Sequence, residues 1–147
     1  MMSVKEKQEK LVKTMKTWQQ LENKAVEQTA KIMGEAKHPL IRLVMEIIQR
    51  DSNMHHRVQQ MIIDATENAF VEISPDDLVG VWDSIENHIK IEKKTIELAQ
   101  NSLDALEGTS KTMIQQYLTT YLLTDEEKHD RMLADLELIK RGMFKSS

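Results

Sequence analysis

The sequence predicts an all-α protein that folds as an antiparallel, up-down-up-down four-helix bundle. Glycine and proline are scarce, at four and two residues in a chain of 147, against roughly 12% of an average protein. Because sheets and long loops depend on these turn residues, their scarcity favours a few long helices. Apolar residues also recur in alternating steps of three and four, which is the spacing of one helical face. The length fits a single domain, residues 1–147, with one continuous core.

Four amphipathic segments carry this spacing, and a turn signal separates each from the next. The second helix begins at Pro39, because proline suits a first helical turn and disfavours helix at the residue before it. Ser74 caps the third helix ahead of Pro75, and Thr109 or Ser110 caps the fourth. The second helix is expected to fade around residues 70–73. The predicted helices cover residues 3–36, 39–72, 75–107 and 110–143.

Composition excludes several classes of site and partner. Without cysteine, the chain cannot form disulfides, Fe–S clusters, thiolate zinc sites or cysteine nucleophiles. Its 20 basic and 24 acidic residues give a net charge of −4, without the basic excess that nucleic-acid surfaces carry. No apolar run is long enough to span a bilayer, and residues 1–17 lack the apolar core of a signal peptide. We therefore expect a cytoplasmic protein without nucleic-acid or membrane partners, and a homodimer, since such bundles often dimerise.

Each predicted helix has a gap in its apolar stripe, and acids or histidines occupy that gap. An unpaired charge at such a position is strongly destabilising, so a compensating partner is required. With a rise of about 1.5 Å per residue, all the gaps fall in one layer of an antiparallel bundle, within about two turns of each other. One carboxylate from each of two helices and an acid–histidine pair from each of the other two form the ligand set of a dinuclear carboxylate site. The residues in the gaps are Glu22, then Asp51 and His55, then Glu92, then Asp125, Glu126 and His129.

The two halves of the chain resemble each other around their histidines. Gly34 lies 21 residues before His55, and Gly108 lies 21 residues before His129. An aspartate also stands four residues before each of these histidines. This pattern predicts a pseudo-duplicated helical hairpin.

The ligand types in the layer indicate which ions the site would accept. Mixed carboxylate and imidazole ligands suit iron or manganese, with zinc as a substitute. His88 lies four residues before Glu92 and therefore on the same helical face. It is either a further metal ligand or a core or surface residue just above the layer.

The fourth predicted helix contains the sequence DEEKHDRML at residues 125–133. This run resembles the fourth-helix motif of ferritin-like, rubrerythrin-type di-iron carboxylate proteins, in which a Glu-x-x-His pair, here Glu126 and His129, contributes to the metal site. Glu92 lies 34 residues before Glu126, close to the spacing in that family. The resemblance implies a ferritin-like bundle that binds two iron ions and reacts with dioxygen or peroxide, as an oxidase, a peroxidase or an iron-handling protein. The predicted metal ligands are Glu22, Asp51, His55, His88, Glu92, Glu126 and His129.

Several features depart from the family pattern. Ser52 stands where the second helix should provide a glutamate, and Asp51 is the available substitute. The connection between the second and third helices is too short to cross a bundle, and without cysteine there is no rubredoxin-type iron centre. The spacing of His88 and Glu92 is also similar to hemerythrin-like bundles, although the first helix lacks the interior histidines that those bundles need. The alternative function is therefore a non-catalytic helical bundle with an incomplete site, acting as an oligomerisation or partner-binding module.

Overall fold

All regular structure in the described part of the chain is helical. The computed structural model describes residues 1–68 and 72–144. None of the helices in these ranges is both long enough and apolar enough to cross a membrane. The predicted all-α class is confirmed. In chain order the helices are α1 (Val4–Glu35), α2 (Pro39–Glu67), α3 (Pro75–Val79), α4 (Trp82–Leu106) and α5 (Met113–Lys140).

The third predicted helix, residues 75–107, is divided in the structure, so its continuity was wrongly predicted. Its start is as expected, because Asp77 accepts a hydrogen bond from the backbone N–H of Ser74 at 2.7 Å. Gly80 and Val81 then form a turn between α3 and α4. Glycine costs about 1 kcal/mol in a helix interior relative to alanine. A short helix can therefore end here although the apolar spacing continues through the turn.

Two other boundaries differ from the prediction. α2 ends at Glu67 rather than at residue 72, and residues 70 and 71 of the predicted fading segment lie outside the described residues. α5 begins after Thr112 rather than after Thr109 or Ser110. Lys111 has a φ of 61°, in the left-handed region that a right-handed helix cannot include. The fourth helix therefore starts later than its first polar cap signal.

The chain divides into two compact units, Met1–Glu72 and Ile73–Ser147. In the first unit, α1 and α2 form an antiparallel hairpin with an apolar cluster of Val12, Met15 and Ile63. His38 caps α2, because its Nδ1 accepts a hydrogen bond from the backbone N–H of Leu40 at 3.1 Å. The connection between the two helices is consequently short and ordered by its own side chain.

A polar seam also joins α1 to α2. Nε2 of Gln19 donates to the backbone oxygen of His56 at 3.2 Å and to Oε1 of Gln60 at 3.0 Å. Farther along α1, Val26 accepts a hydrogen bond from the side chain of Gln49 at 3.3 Å. Later residues of α1 pair with earlier residues of α2, which establishes the antiparallel direction.

The second unit contains α3, α4 and α5, with α4 and α5 forming another antiparallel hairpin. Its buried apolar residues are Leu78, Trp82 and Ala99. Nζ of Lys140 lies 4.6 Å from the centre of the Trp82 ring, a cation–π contact between the start of α4 and the end of α5. Each unit thus contains one of the two predicted hairpins. The single four-helix-bundle domain and its up-down-up-down order stay predictions.

Candidate metal centre

Acidic and histidine side chains from two helices converge within the Ile73–Ser147 unit. Glu92 lies on α4, while Glu126 and His129 lie on one face of α5, three residues apart. One oxygen of each carboxylate and one ring nitrogen of His129 all lie within 4.8 Å of one another. Glu92 is buried, whereas Glu126 and His129 are half-buried. These three residues, the Glu92 group, therefore form a compact set of ligand atoms with partial access to solvent.

The ring of His129 faces one oxygen from each carboxylate of the group. Its Nδ1 lies 3.5 Å from Oε1 of Glu92 and 3.5 Å from Oε2 of Glu126. Oε1 of Glu92 also lies 2.9 Å from Nε2 of His88, on the preceding turn of α4. A single imidazole nitrogen facing two carboxylate oxygens is the arrangement that a shared cation needs.

Thr95 links the two helices beside the Glu92 group. Its Oγ1 lies 3.1 Å from Oε2 of Glu126 and 2.8 Å from the backbone oxygen of Glu92. The hydroxyl has one hydrogen, so it donates to one of these acceptors at a time. Donation to Glu126 holds that carboxylate towards α4. Thr95 was not predicted as part of the site, although its position three residues after Glu92 indicates that both lie on one helical face.

Glu92 and Glu126 shift each other's pKa in opposite directions, as expected where two carboxyls can share a proton. A hydrogen bond from the Glu126 carboxyl lowers the pKa of Glu92; burial opposes this effect, and the nearby His88 and His129 reinforce it. The same hydrogen bond to Glu92 raises the pKa of Glu126, and burial raises it further. Two carboxylates this close resist ionising together unless a proton or a cation lies between them.

Oε2 of Glu92 is the atom that most clearly requires a partner. It is buried, and no hydrogen-bond donor of the described residues reaches it. Leaving such an acceptor unsatisfied costs about 1–3 kcal/mol, and more when the group is charged. Either the proton of Glu126 or a metal cation would satisfy this oxygen. Iron, manganese and zinc bind carboxylate oxygen and imidazole nitrogen as ligands, so the residues of the group fit such an ion.

The far edge of the His129 ring also faces an acid. Its Nε2 lies 3.5 Å from Oδ2 of Asp125, and Oδ1 of Asp125 lies 2.7 Å from Nζ of Lys128. A carboxylate at the second ring nitrogen orients a metal-binding imidazole and favours one tautomer. Asp125 therefore supports a ring orientation in which Nδ1 faces Glu92 and Glu126.

The Met1–Glu72 unit carries a smaller polar group around Glu22. Oε1 of Glu22 accepts a hydrogen bond from Nε1 of Trp18 at 3.0 Å and lies 3.4 Å from Nδ1 of His55. Ser52, three residues before His55, is buried. No cluster of three potential metal ligands forms in the described residues of this unit. The sequence did not predict this hydrogen bond of Trp18.

The structure places the remaining two predicted ligands outside these groups. His88 contacts Glu92 but is not one of the three residues whose ligand atoms lie within 4.8 Å of one another. Asp51 is exposed and, within the described part of the chain, pairs with none of the other predicted ligands. Its neighbour Ser52 is buried instead, because one residue turns the side chain by about 100° around a helix.

Comparison with known proteins identifies no relative: no protein-family model, no curated protein and no solved structure matches this chain. Function is therefore inferred from the side chains and their geometry.

Proposed function

We propose that this protein binds a first-row divalent metal ion in the Ile73–Ser147 unit, through Glu92, Glu126 and His129. The observation that carries the proposal is the buried Oε2 of Glu92, which lacks a donor beside a second carboxylate and an imidazole. A divalent ion would replace the shared proton and neutralise both carboxylates. Its remaining coordination positions would be open, because the group provides only three ligand residues.

Iron is the ion that we expect. The mixed oxygen and nitrogen donors suit it, and the resemblance of residues 125–133 to rubrerythrin-type di-iron proteins supports the same choice. Manganese and zinc are acceptable substitutes. When bound, reduced iron with an open position supplies redox chemistry towards dioxygen or peroxide, which would support an oxidase, a peroxidase or an iron-handling protein.

The residues of the chain would contribute in different ways. Glu126 would bind the ion through its carboxylate, which lies 3.1 Å from the hydroxyl of Thr95 on α4. His129 presents Nδ1 to the ion while Asp125 lies at its other ring nitrogen. Because Glu126 and His129 are half-buried, a small molecule can reach the group from solvent.

The second candidate function is a non-catalytic helical module that acts by oligomerisation or by binding a partner. Ser52 favours this alternative, because a buried serine stands in the first unit where α5 carries Glu126, three residues before the histidine. The proton shared by Glu92 and Glu126 can also satisfy both carboxyls without a metal. The acid–histidine contacts would then be structural.

Titration with Co²⁺, a spectroscopic probe for first-row divalent ions, distinguishes the two functions. The full chain is stripped with a chelator and titrated as wild type, as His129→Ala and as Glu97→Gln. Loss of residues that merely support a metal ligand typically weakens binding by about 10–100-fold, so loss of His129 itself should weaken it by at least about 100-fold. Glu97→Gln is the matched control, since Glu97 lies on α4 with an exposed side chain and, among the described residues, pairs with Lys94.

The stoichiometry and the variants give separate outcomes. At least one Co²⁺ per chain, lost in His129→Ala and kept in Glu97→Gln, supports the metal site. Two ions per chain would support the two-ion centre predicted from the sequence. Absence of binding in the wild type, or equal binding in His129→Ala, would contradict the metal site and favour the non-catalytic module.

A further inference from the structure

His88 occupies an unusual position beside the Glu92 group. It lies one helical turn before Glu92, with its Nε2 2.9 Å from Oε1 of that carboxylate. Its side chain is 53% exposed, whereas that of Glu92 is 7% exposed. The sequence left its role open between a metal ligand and a residue just above the layer.

The contact with Glu92 determines what the ring nitrogen of His88 can do. An ionised carboxylate oxygen accepts hydrogen bonds and cannot donate them. A nitrogen held 2.9 Å from it therefore carries the hydrogen, and a nitrogen that carries a hydrogen has no lone pair for a metal. His88 is not among the residues whose ligand atoms form the compact set.

The other hairpin contains a matched case. Trp18 lies four residues before the buried Glu22, just as His88 lies four residues before Glu92. Its Nε1 donates to Oε1 of Glu22 at 3.0 Å. Indole N–H is a donor only and cannot bind a metal through a lone pair. In both hairpins, the residue one turn before the buried glutamate therefore supplies a hydrogen-bond donor to Oε1.

We propose that His88 is a positioning residue that acts through Glu92 and is not a metal ligand. By donating to Oε1, it fixes the orientation of the carboxylate beside Glu126 and His129; this inference rests on the metal site proposed above. Fixing the carboxylate matters because a free glutamate side chain must lose rotational freedom when it binds an ion. A donor that already holds one oxygen removes part of that entropic cost.

Two substitutions separate a donor from a ligand. His88→Gln keeps an N–H donor at the end of a side chain of similar reach, whereas His88→Ala removes it. With Co²⁺ as the probe, we expect His88→Gln to bind within about threefold of wild type and His88→Ala to bind about tenfold more weakly, as expected for loss of a group that supports a ligand. X-ray absorption of the Co²⁺ complexes should give the same number of imidazole ligands in wild type, His88→Gln and His88→Ala.

Each outcome bears on the inference. If both variants lose affinity equally and one imidazole disappears from the coordination shell, His88 is a ligand and the inference is wrong. If His88→Ala binds like wild type, His88 does not position Glu92. If the wild type binds no Co²⁺, the proposed function fails first, and the inference fails with it.

Unfolding of the metal-free chain in urea provides a measurement that needs no ion. His88→Ala should unfold at lower urea than wild type, because Oε1 of the buried Glu92 loses its donor, and His88→Gln should restore the midpoint. Equal midpoints for all three proteins would contradict the positioning role even if Co²⁺ binds.

Discussion

The two hairpins bury one glutamate each, and the surroundings of these glutamates differ in one decisive respect. Glu22 has Trp18 and His55 at its Oε1, and hydrogen bonds can satisfy it. Glu92 has His88 and His129 in the corresponding contacts, together with a second carboxylate. A single acid among donors needs nothing more, whereas a pair of acids requires a proton or a cation.

The two hairpins differ at one equivalent position, which lies on α2 in the first hairpin and on α5 in the second. Three residues before the histidine, α2 carries Ser52 and α5 carries Glu126. Serine is small and uncharged, while glutamate brings a second negative charge beside the first. Two similar helical scaffolds can therefore contain either a structural polar contact or a candidate metal centre, according to this one residue.

The largest effect should come from removing the second carboxylate of the Glu92 group. Glu126→Ser gives the second hairpin the residue that the first one has, and we expect Co²⁺ binding to weaken by at least about 100-fold, because a ligand matters more than its supporting groups. Equilibrium dialysis with metal analysis measures this loss. Retention of wild-type affinity would show that Glu126 is not a ligand.

The reverse exchange tests whether the first hairpin can acquire a site. Ser52→Glu places a second acid on α2, three residues before His55. In the metal-free chain we expect this change to lower the free energy of unfolding by about 2 kcal/mol, since a buried charge lacks a partner. Co²⁺ should recover part of that loss and bind with one more ion per chain than in wild type. Urea unfolding with and without Co²⁺ checks both effects, and identical curves for the variant in the two conditions would contradict the equivalence of the hairpins.

The affinity of the wild type for a metal ion should decrease as the pH is lowered. The pKa of Glu126 is raised by its hydrogen bond to Glu92 and by burial, and the ion must displace this proton. Below that pKa each pH unit should cost about tenfold in affinity for one displaced proton. Co²⁺ titrations from about pH 8 down to about pH 5 measure the slope. An affinity independent of pH over this range would contradict a proton-occupied carboxylate pair.

The stability of the metal-free chain should respond to the same pair of acids. Glu92, whose pKa is lowered, contributes stability above its ordinary pKa that is lost as pH falls through the lowered value. Glu126, whose pKa is raised, contributes stability at low pH that is lost as pH rises through the raised value. In Glu126→Gln the side-chain amide can donate a hydrogen bond to Glu92 at every pH. The free energy of unfolding of this variant should therefore exceed that of the wild type by about 1 kcal/mol once the pH is above the raised pKa of Glu126. Urea unfolding of both proteins at about pH 5 and about pH 8 measures this difference. A stability advantage of the variant that is larger at the lower pH would contradict a raised pKa of Glu126.

The smallest effect is expected at Trp18. Trp18→Phe keeps an aromatic ring but removes the N–H that donates to Glu22, and the side chain is about half exposed. We expect a loss of about 1 kcal/mol in the free energy of unfolding, measured by urea unfolding. Leu21→Ala, an exposed position on the same helix, is the control for loss of apolar contact alone. A loss no greater than that of the control would mean that this hydrogen bond contributes nothing.

The helical class and the hairpins could be predicted because they depend on local signals. These signals are the scarcity of glycine, the spacing of apolar residues and the helix start at Ser74-Pro75. Each can be recognised from short stretches of the sequence. The turn at Gly80 could not be predicted, because Leu78 and Trp82 keep the spacing of a helical face across it. Whether a glycine ends a helix depends on the packing around it, which the spacing does not record.

The residues of the Glu92 group were all named from their positions in the helices. Counting residues from each turn gives their level along a hairpin, and this was sufficient for Glu92, Glu126 and His129. It was insufficient for Asp51, because a shift of one residue changes the face of the helix and leaves the level almost unchanged. Contacts such as that of Thr95 depend on rotamers across two helices, which a single sequence does not specify.

The central claim is that the carboxylate pair of the second hairpin holds a metal ion. Anaerobic dialysis of the chelator-stripped wild type and of Glu126→Gln against Fe²⁺, followed by elemental analysis, tests it most directly. We expect at least one iron per chain in the wild type and none in Glu126→Gln, which keeps a hydrogen-bond donor beside Glu92. Equal iron contents in the two proteins, whether zero or one, would contradict it.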